Sequence, residues 1–399
     1  MKKTMKQWLA LVSAGVMTLS MASCSDLSGM LSGIFGGETS VEEEGPIILK
    51  EVTKAKNVIL LIGDGMGPNQ IKAGELFKDE PLTMQGFPYM TTVETRSFSD
   101  YITDSAAAAT ALATGVRTDN ATVAKDPMTG TDLETIVDIA ASLGKRTGII
   151  ATEELHGATP MGFSGHAANR GETSTLLKSA AATSNVNLFA SYTMKVAYQN
   201  AFVEAGYEKI EEVDKISEST SDKVFGSYWI DAKAESMSGD PACLALDYLV
   251  TEALEYLSKD EDGFFLMAEG SHIDHGGHNN DFHYMLEELL AFDDAVKAAL
   301  EWAKDRDDTV VIVTADHETG GLYLDEKATH QNIVDIYEGK MRDSEALDYY
   351  LWTATGHTST DVNLYINGAD IDFANYSFGE DTRIKNTDIF QIMKYLLGA

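Results

Sequence analysis

Phe264-Phe265-Leu266-Met267-Ala268-Glu269-Gly270-Ser271-His272-Ile273-Asp274-His275-Gly276-Gly277-His278 decides the architecture of this 399-residue chain. Five apolar residues run without interruption into Glu269, His272, Asp274, His275 and His278, with glycines at 270, 276 and 277. A strand that is apolar throughout is one covered on both faces, as in parallel sheets. Potential ligands released from its carboxyl end fall where open α/β sheets build their sites. Asp and His are what a divalent zinc takes when water or substrate must also reach it.

Three more segments have related form. Val58-Ile59-Leu60-Leu61-Ile62 leads into Gly63-Asp64-Gly65-Met66-Gly67, and Val310-Val311-Ile312-Val313-Thr314 ends in Ala315-Asp316-His317-Glu318. Gly356-His357-Thr358 precedes the strand pattern Val362–Ile366. Gly-Asp-Gly alone is an ordinary turn, and a lone His in a loop is commonly solvated. Four such segments in one chain make independent bland explanations improbable.

Asp104-Ser105 opens the small-residue run Ala106 to Thr110. A serine at a helix amino terminus has free amides and the positive dipole end beside it, which suits an anion; it could equally be a simple cap. No Gly-x-Ser-x-Gly elbow surrounds Ser105, so a metal is a better activator for it than a triad. Further on, His156-Gly157-Ala158-Thr159-Pro160 is followed by Ala168-Asn169-Arg170. An arginine fork fits two phosphate oxygens at once.

Strand patterns at Val58–Ile62, Arg146–Thr152, Phe264–Ala268, Thr309–Thr314 and Val362–Ile366 alternate with helical ones. The helices are expected at Ser105–Thr114, Asp132–Leu143, Pro241–Ser258, Tyr284–Lys304 and Thr387–Leu397. The alternation predicts an α/β fold, a three-layer α/β/α sandwich around a large, mostly parallel sheet. Residues 190–235 read as polar and irregular, the place for an insertion or small subdomain.

Residues 1–23 have the layout of a secretory signal: Lys2, Lys3 and Lys6, then Trp8 to Val12, then small residues. Met21-Ala22-Ser23-Cys24 resembles a bacterial lipobox, so a lipid anchor through Cys24 and an exported, membrane-attached protein are expected. Residues 24–50, Ser/Gly-rich and then acidic, read as a flexible tether, and 51–399 as the catalytic domain. Cys243 is the only other cysteine, which leaves no internal disulfide. The net charge of −33 disfavours nucleic acid or an anionic membrane surface as a partner.

Taken in order, these motifs resemble the alkaline phosphatases of the metal-dependent superfamily, from about Asn57 to the carboxyl terminus. The resemblance implies two zinc ions, one on Asp64, Asp316 and His317, the other on Asp274, His278 and His357. It implies one magnesium ion on Asp64, Thr159 and Glu269. Ser105 falls on the family's nucleophile, Arg170 on its phosphate clamp, and Asp104 on the residue that orients that arginine. Small phosphate monoesters are then the substrates, and a homodimer is expected. Two departures stand out: Gly157 occupies a place where relatives often have Asp or His, and His275 one where some have lysine. An absent side chain at 157 predicts a weak third site. The rivals are a phosphodiesterase of the same superfamily and a noncatalytic metal- or phosphate-binding lipoprotein.

Overall fold

In the computed structural model, residues 54–183, 185–230, 245–368 and 383–399 are described. The signal and tether segments and Cys243 lie outside them. Their centre is a ten-stranded sheet in the order β14-β2-β13-β8-β1-β7-β3-β4-β6-β5. Its middle is formed by β8 (Thr309–Thr314), β1 (Asn57–Gly63), β7 (Phe264–Gly270) and β3 (Arg146–Glu154), all mutually parallel. Every residue of β1, β7 and β8 is buried, as their unbroken apolar composition requires when helices cover both faces. One flank adds β4 (Leu188–Tyr192), β6 (Val224–Tyr228) and β5 (Glu208–Ile210), also parallel. The other flank holds β13 (Val362–Asn367), antiparallel to both neighbours, then β2 (Tyr89–Glu94) and β14 (Ile384–Lys385).

One face of the sheet carries α7 (Leu246–Leu257) and α9 (Phe282–Ala303), with α1 (Pro68–Lys78), α8 (His272–Asn279) and α10 (His330–Tyr337) packed around them. The opposite face carries α2 (Ser105–Thr114), α3 (Ile136–Ser142), α4 (Ala158–Ser164) and α12 (Asn386–Leu397). Beside them lie α5 (Thr173–Thr183) and α6 (Val196–Glu204). The short α11 (Asp343–Ala346) lies in the connection between β10 (Leu322–Leu324) and β11 (Tyr350–Trp352), which pair as an antiparallel ladder. A second small ladder pairs β9 (Glu318–Thr319) with β12 (His357–Thr358). The three-layer expectation therefore holds.

Several local expectations need correction. Residues 190–230 are regular: β5, β6 and α6 lie there and extend the sheet instead of forming a separate subdomain. Short strands hid the pattern, whose real anchor is an aromatic cluster. Phe202 stacks on Phe225 at 4.8 Å and meets Phe189 edge-on at 5.1 Å. Helix α3 starts at Ile136, not at Asp132, because Thr135 and Asp138 form a reciprocal capping box. Helix α8 was not expected at all, since Gly276 and Gly277 argue against a helix. Packing overrides propensity there: a Cβ on Gly276 would lie 2.6 Å from Met285 Cα of α9.

Helix α2 is buried over its whole length, and only small residues allow that. It crosses α4 so closely that a Cβ on Gly162 would sit 2.6 Å from Ala109 Cβ and 3.1 Å from the Ala109 carbonyl carbon. These two helices carry Ser105 and Thr159 respectively. Gly162→Val is expected to destabilise the protein by about 1–3 kcal/mol through overpacking. Urea denaturation should show this as a lowered midpoint with an unchanged slope.

Candidate active site

The four central strands end on one edge of the sheet, and each end bears a candidate residue. Asp64 follows β1, Glu269 lies in the last turn of β7, Asp316 and His317 follow β8, and Glu153 lies near the end of β3. Register enforces this, since Ile62 pairs with both Glu269 and Thr314, and Ala151 with Glu269. Gly65 has φ +73°, and a Cβ there would lie 2.6 Å from Asp274 Cα. The glycine thus lets the loop of Asp64 close against α8.

Two groups of three converge. Ligand atoms of Asp64, Asp316 and His317 lie within 4.8 Å of one another, and so do those of Asp274, His278 and His357. These are the same two threes that the family resemblance implies. The groups adjoin, because the His317 and His357 rings stack at 3.6 Å. The β9–β12 ladder makes this contact by pairing His357 with Thr319.

Hydrogen bonds fix which imidazole nitrogen faces inward. His278 Nδ1 is 2.7 Å from the Thr355 carbonyl and His357 Nδ1 is 2.8 Å from the Thr103 carbonyl. A carbonyl can only accept, so both Nδ1 atoms carry a proton, and Nε2 is the nitrogen that each ring could offer to a metal. Those Nε2 atoms lie 3.3 and 3.6 Å from the Asp274 carboxylate. Thr319 Oγ1 donates to Asp274 and so accepts from His317 Nδ1 at 3.2 Å. Burial holds the His317 ring neutral, so its Nε2 is bare, 3.1 Å from Asp316 Oδ2 and 3.7 Å from Asp64 Oδ1.

Both of those carboxylate oxygens are buried with no hydrogen-bond partner, as are both oxygens of Glu269 and Thr159 Oγ1. Acceptors facing acceptors in a buried place are unfavourable unless a cation lies among them. Burial, reinforced by Asp316, holds the Asp64 carboxyl well above the usual range. Burial, reinforced by Glu153, does the same to Glu269. Asp316 is pushed up to about 7 by burial and by Asp274. His317 is held well below the ordinary imidazole value by burial and by His357 and His278. Each group offers what a divalent cation requires, imidazole nitrogen together with carboxylate oxygen.

Ser105 is the first residue of α2, and its Oγ lies 3.2 Å from His317 Nε2. The His317 Nδ1 partner is a threonine and not a carboxylate, so the Ser-His-Asp arrangement is absent at this pair. Asp104 caps α2 with one oxygen, which accepts from Ala107 N at 3.0 Å. Its other oxygen accepts from Ala121 N at 2.9 Å and lies 3.5 Å from Arg170 Nη1. The Arg170 side chain is 39% exposed, so its fork can meet an arriving anion. Sequence reasoning missed Thr319, which ties Asp274 to His317, and Glu153, whose only signal is its place beside a strand end.

The alkaline phosphatase family model matches residues 55–206 and 201–347. Alkaline phosphatase 4 of Bacillus subtilis (strain 168) is 32% identical over 323 residues, 75% of this chain and 69% of its own. Alkaline phosphatase of Escherichia coli (strain K12) is 32% identical over 331 residues, 66% of this chain and 70% of its own. The solved alkaline phosphatase of the Antarctic bacterium TAB5 superposes with a TM-score of 0.73 at 28% identity, covering 87% of this chain and 99% of that one. Variants of that enzyme are described with Mg bound in a site designated M3. With this fold, this site and these relatives, the chain belongs to the alkaline phosphatase family and is a phosphatase.

Proposed function

We propose that the chain hydrolyses phosphate monoesters in two displacements at phosphorus, through a phosphoserine on Ser105. One observation carries the reading: the Ser105 hydroxyl stands at the amino end of α2, in contact with His317, where two ligand groups and Arg170 converge. Asp64, Asp316 and His317 would hold one zinc, and Asp274, His278 and His357 the other. Asp64, Thr159 and Glu269 offer only oxygen, the donor set of a hard cation such as magnesium. Bound there, the ions would supply Lewis acidity on both sides of the phosphorus, lowering the pKa of the serine hydroxyl and offsetting charge on the departing oxygen.

The chain's own residues account for the rest. Ser105 Oγ gives its proton to water and forms the new O–P bond as the ester O–P bond breaks, and the departing oxygen takes a proton from water to leave as the alcohol. Water then attacks the phosphoserine, releasing inorganic phosphate and restoring the hydroxyl. Through both steps the α2 amide groups and dipole face the phosphoryl oxygens. Arg170 grips two nonbridging oxygens and holds the phosphorus in line, while Asp104 limits where that fork can swing. His317 presents an unprotonated nitrogen throughout, since burial disfavours its cationic form.

Ser105→Ala should fold and keep its metals while losing about 10²- to 10⁴-fold or more in turnover of an aryl phosphate, as loss of a covalent route implies. Acid quenching of the parent enzyme with labelled substrate should trap phosphate on Ser105. Label on another residue would refute the mechanism, and faster turnover of a diester would favour the rival activity.

The metal-stripped protein should show a distinctive pH dependence. Asp64, Glu269 and Asp316 have raised pKa values when folded, so the folded state binds more protons than the unfolded one. The resulting stability is fully present below the ordinary carboxylate values near 4. It is lost as pH rises through the folded value, about 7 for Asp316. Melting of the chelated protein should therefore fall from pH 5 to pH 8, and restored zinc and magnesium should flatten the curve. A chelated protein equally stable at both values would contradict this electrostatic account.

We further propose that Cys24 carries a lipid and that the preceding residues are a removed signal. No helix of the described residues is long and apolar enough to cross a membrane. If the lipid is the anchor, membrane association depends on position 24, and Cys24→Ser should shift activity from the membrane fraction to a soluble or unprocessed pool. Tight association of a correctly processed Cys24→Ser protein would exclude the anchor.

A further inference from the structure

Gly157 leaves a gap in the sequence of the third metal site, and the structure shows what fills it. A Cβ built on Gly157 would lie 1.6 Å from Glu153 Oε1 and 2.3 Å from Glu153 Cδ. The Glu153 carboxyl group therefore occupies the volume that a side chain at 157 would need. Nothing in the backbone requires glycine there: φ is −55° and ψ 159°, open to any L-residue. The glycine is explained by the room it gives Glu153.

Glu153 is held in place by the ends of two central strands. The register of β3 against β4 shifts between Ala151 and Glu154, which re-aims the side chains of the intervening residues. Ser271, just past β7, fastens the turn: its amide donates to Thr152 Oγ1 at 2.8 Å, and its Oγ accepts from the Glu153 amide at 3.3 Å. The carboxyl group then lies within electrostatic reach of Glu269 and Asp64. Glu269 and Thr159 are completely buried, and their side-chain oxygens have no hydrogen-bond partner. A third acid near two buried acids adds an oxygen donor and a negative charge, both of which a shared cation would use.

We propose that Glu153 is a ligand of the third metal, reaching from the end of β3 into the place that Gly157 leaves open. The inference rests on the three-metal reading above. With it, the site offers three carboxylates and one hydroxyl, all oxygen, which selects a hard ion such as magnesium or manganese over zinc. The third site is then not the weak point that an absent side chain at 157 predicts. Glycine at 157 and the acid at 153 form one unit, since a side chain at 157 would displace the carboxylate.

Magnesium titrated calorimetrically into the zinc-loaded protein tests this without reference to turnover. Glu153→Gln keeps the size of the side chain and removes its charge. It should weaken magnesium binding by about 10- to 100-fold while two zinc ions per chain are retained. The double variant Glu153→Ala/Gly157→Asp clears the space and returns a carboxylate from the other side, and should regain most of that binding. Gly157→Asp alone should not strengthen magnesium binding, because the new side chain meets Glu153.

Unchanged magnesium affinity in Glu153→Gln would overturn the proposal. So would unchanged magnesium affinity with weakened inhibition by inorganic phosphate, which would assign Glu153 to the positioning of Arg170, also within its electrostatic reach. If Glu153→Gln fails to fold, the double variant decides, and no recovery of magnesium binding there counts against Glu153. Absence of any magnesium or manganese binding to the zinc-loaded parent would remove the third site altogether. Zinc-dependent hydrolysis and the phosphoserine would stand in that case, so the two failures are distinguishable.

Discussion

Uncompensated negative charge at one edge of the sheet is the constraint on which the rest of this structure depends. Asp64, Glu269, Asp316 and Glu153 are all brought to the carboxyl ends of four adjacent parallel strands, with Asp274 close by on α8. Two unit charges about 4 Å apart repel by roughly 4 kcal/mol at an effective dielectric of 20. Several such pairs would be intolerable in a marginally stable fold if they stayed ionised and unpaired. The described residues place no lysine within salt-bridge distance of Asp64, Glu269, Asp274 or Asp316; their ion-pair contacts there are to histidines. Those histidines are tied through Nδ1 to acceptors, which turns Nε2 of each toward the carboxylates.

The scaffold supplies the rigidity that such a site demands. Central strands buried on both faces cannot slip by one residue without exposing their ligands to the wrong side. Loops leave these strands immediately, with glycines where backbone must approach backbone, as at Gly65 against Asp274. Thr319 is a small example of the same economy. Its hydroxyl orders Asp274 and sets the tautomer of His317, coupling one ligand from each of the two groups. Removing that hydroxyl would free both at once.

Much of this was legible because parallel strands with apolar faces announce themselves. Val58–Ile62, Phe264–Ala268 and Thr309–Thr314 are largely apolar runs, and each ends at or just before a candidate ligand. What could not be read has specific physical causes. Helix α8 contains two glycines that propensity places in a loop, and only contact with α9 makes it helical. The β4–β6–β5 flank depends on an aromatic cluster assembled from distant residues, which no local period reveals. The pairing of His357 with Thr319 comes from a two-residue ladder too short to leave a pattern. Glu153 was invisible for another reason: a strand-end glutamate reads as solvated, and only a bulge turns it inward.

The exchange between positions 153 and 157 bears on how such sites are recognised. A motif read by fixed spacing registers glycine at 157 as a loss. Coordination is a matter of which oxygens reach a point in space, and the chain can supply that oxygen from a strand end as readily as from a helix start. Gly157 sits at the N-cap of α4, where an acidic side chain would also compete for the free amides of the first turn. Glu153 comes from β3 and is free of that competition. Its position is instead set by Ser271, which belongs to the segment joining Glu269 to Asp274. Glu269 of the proposed third site and Asp274 of one candidate metal group thereby share a single stretch of backbone, residues 269 to 274. A shift of that stretch would disturb both together, which gives the metal centre a mechanical unity beyond the ligands it shares.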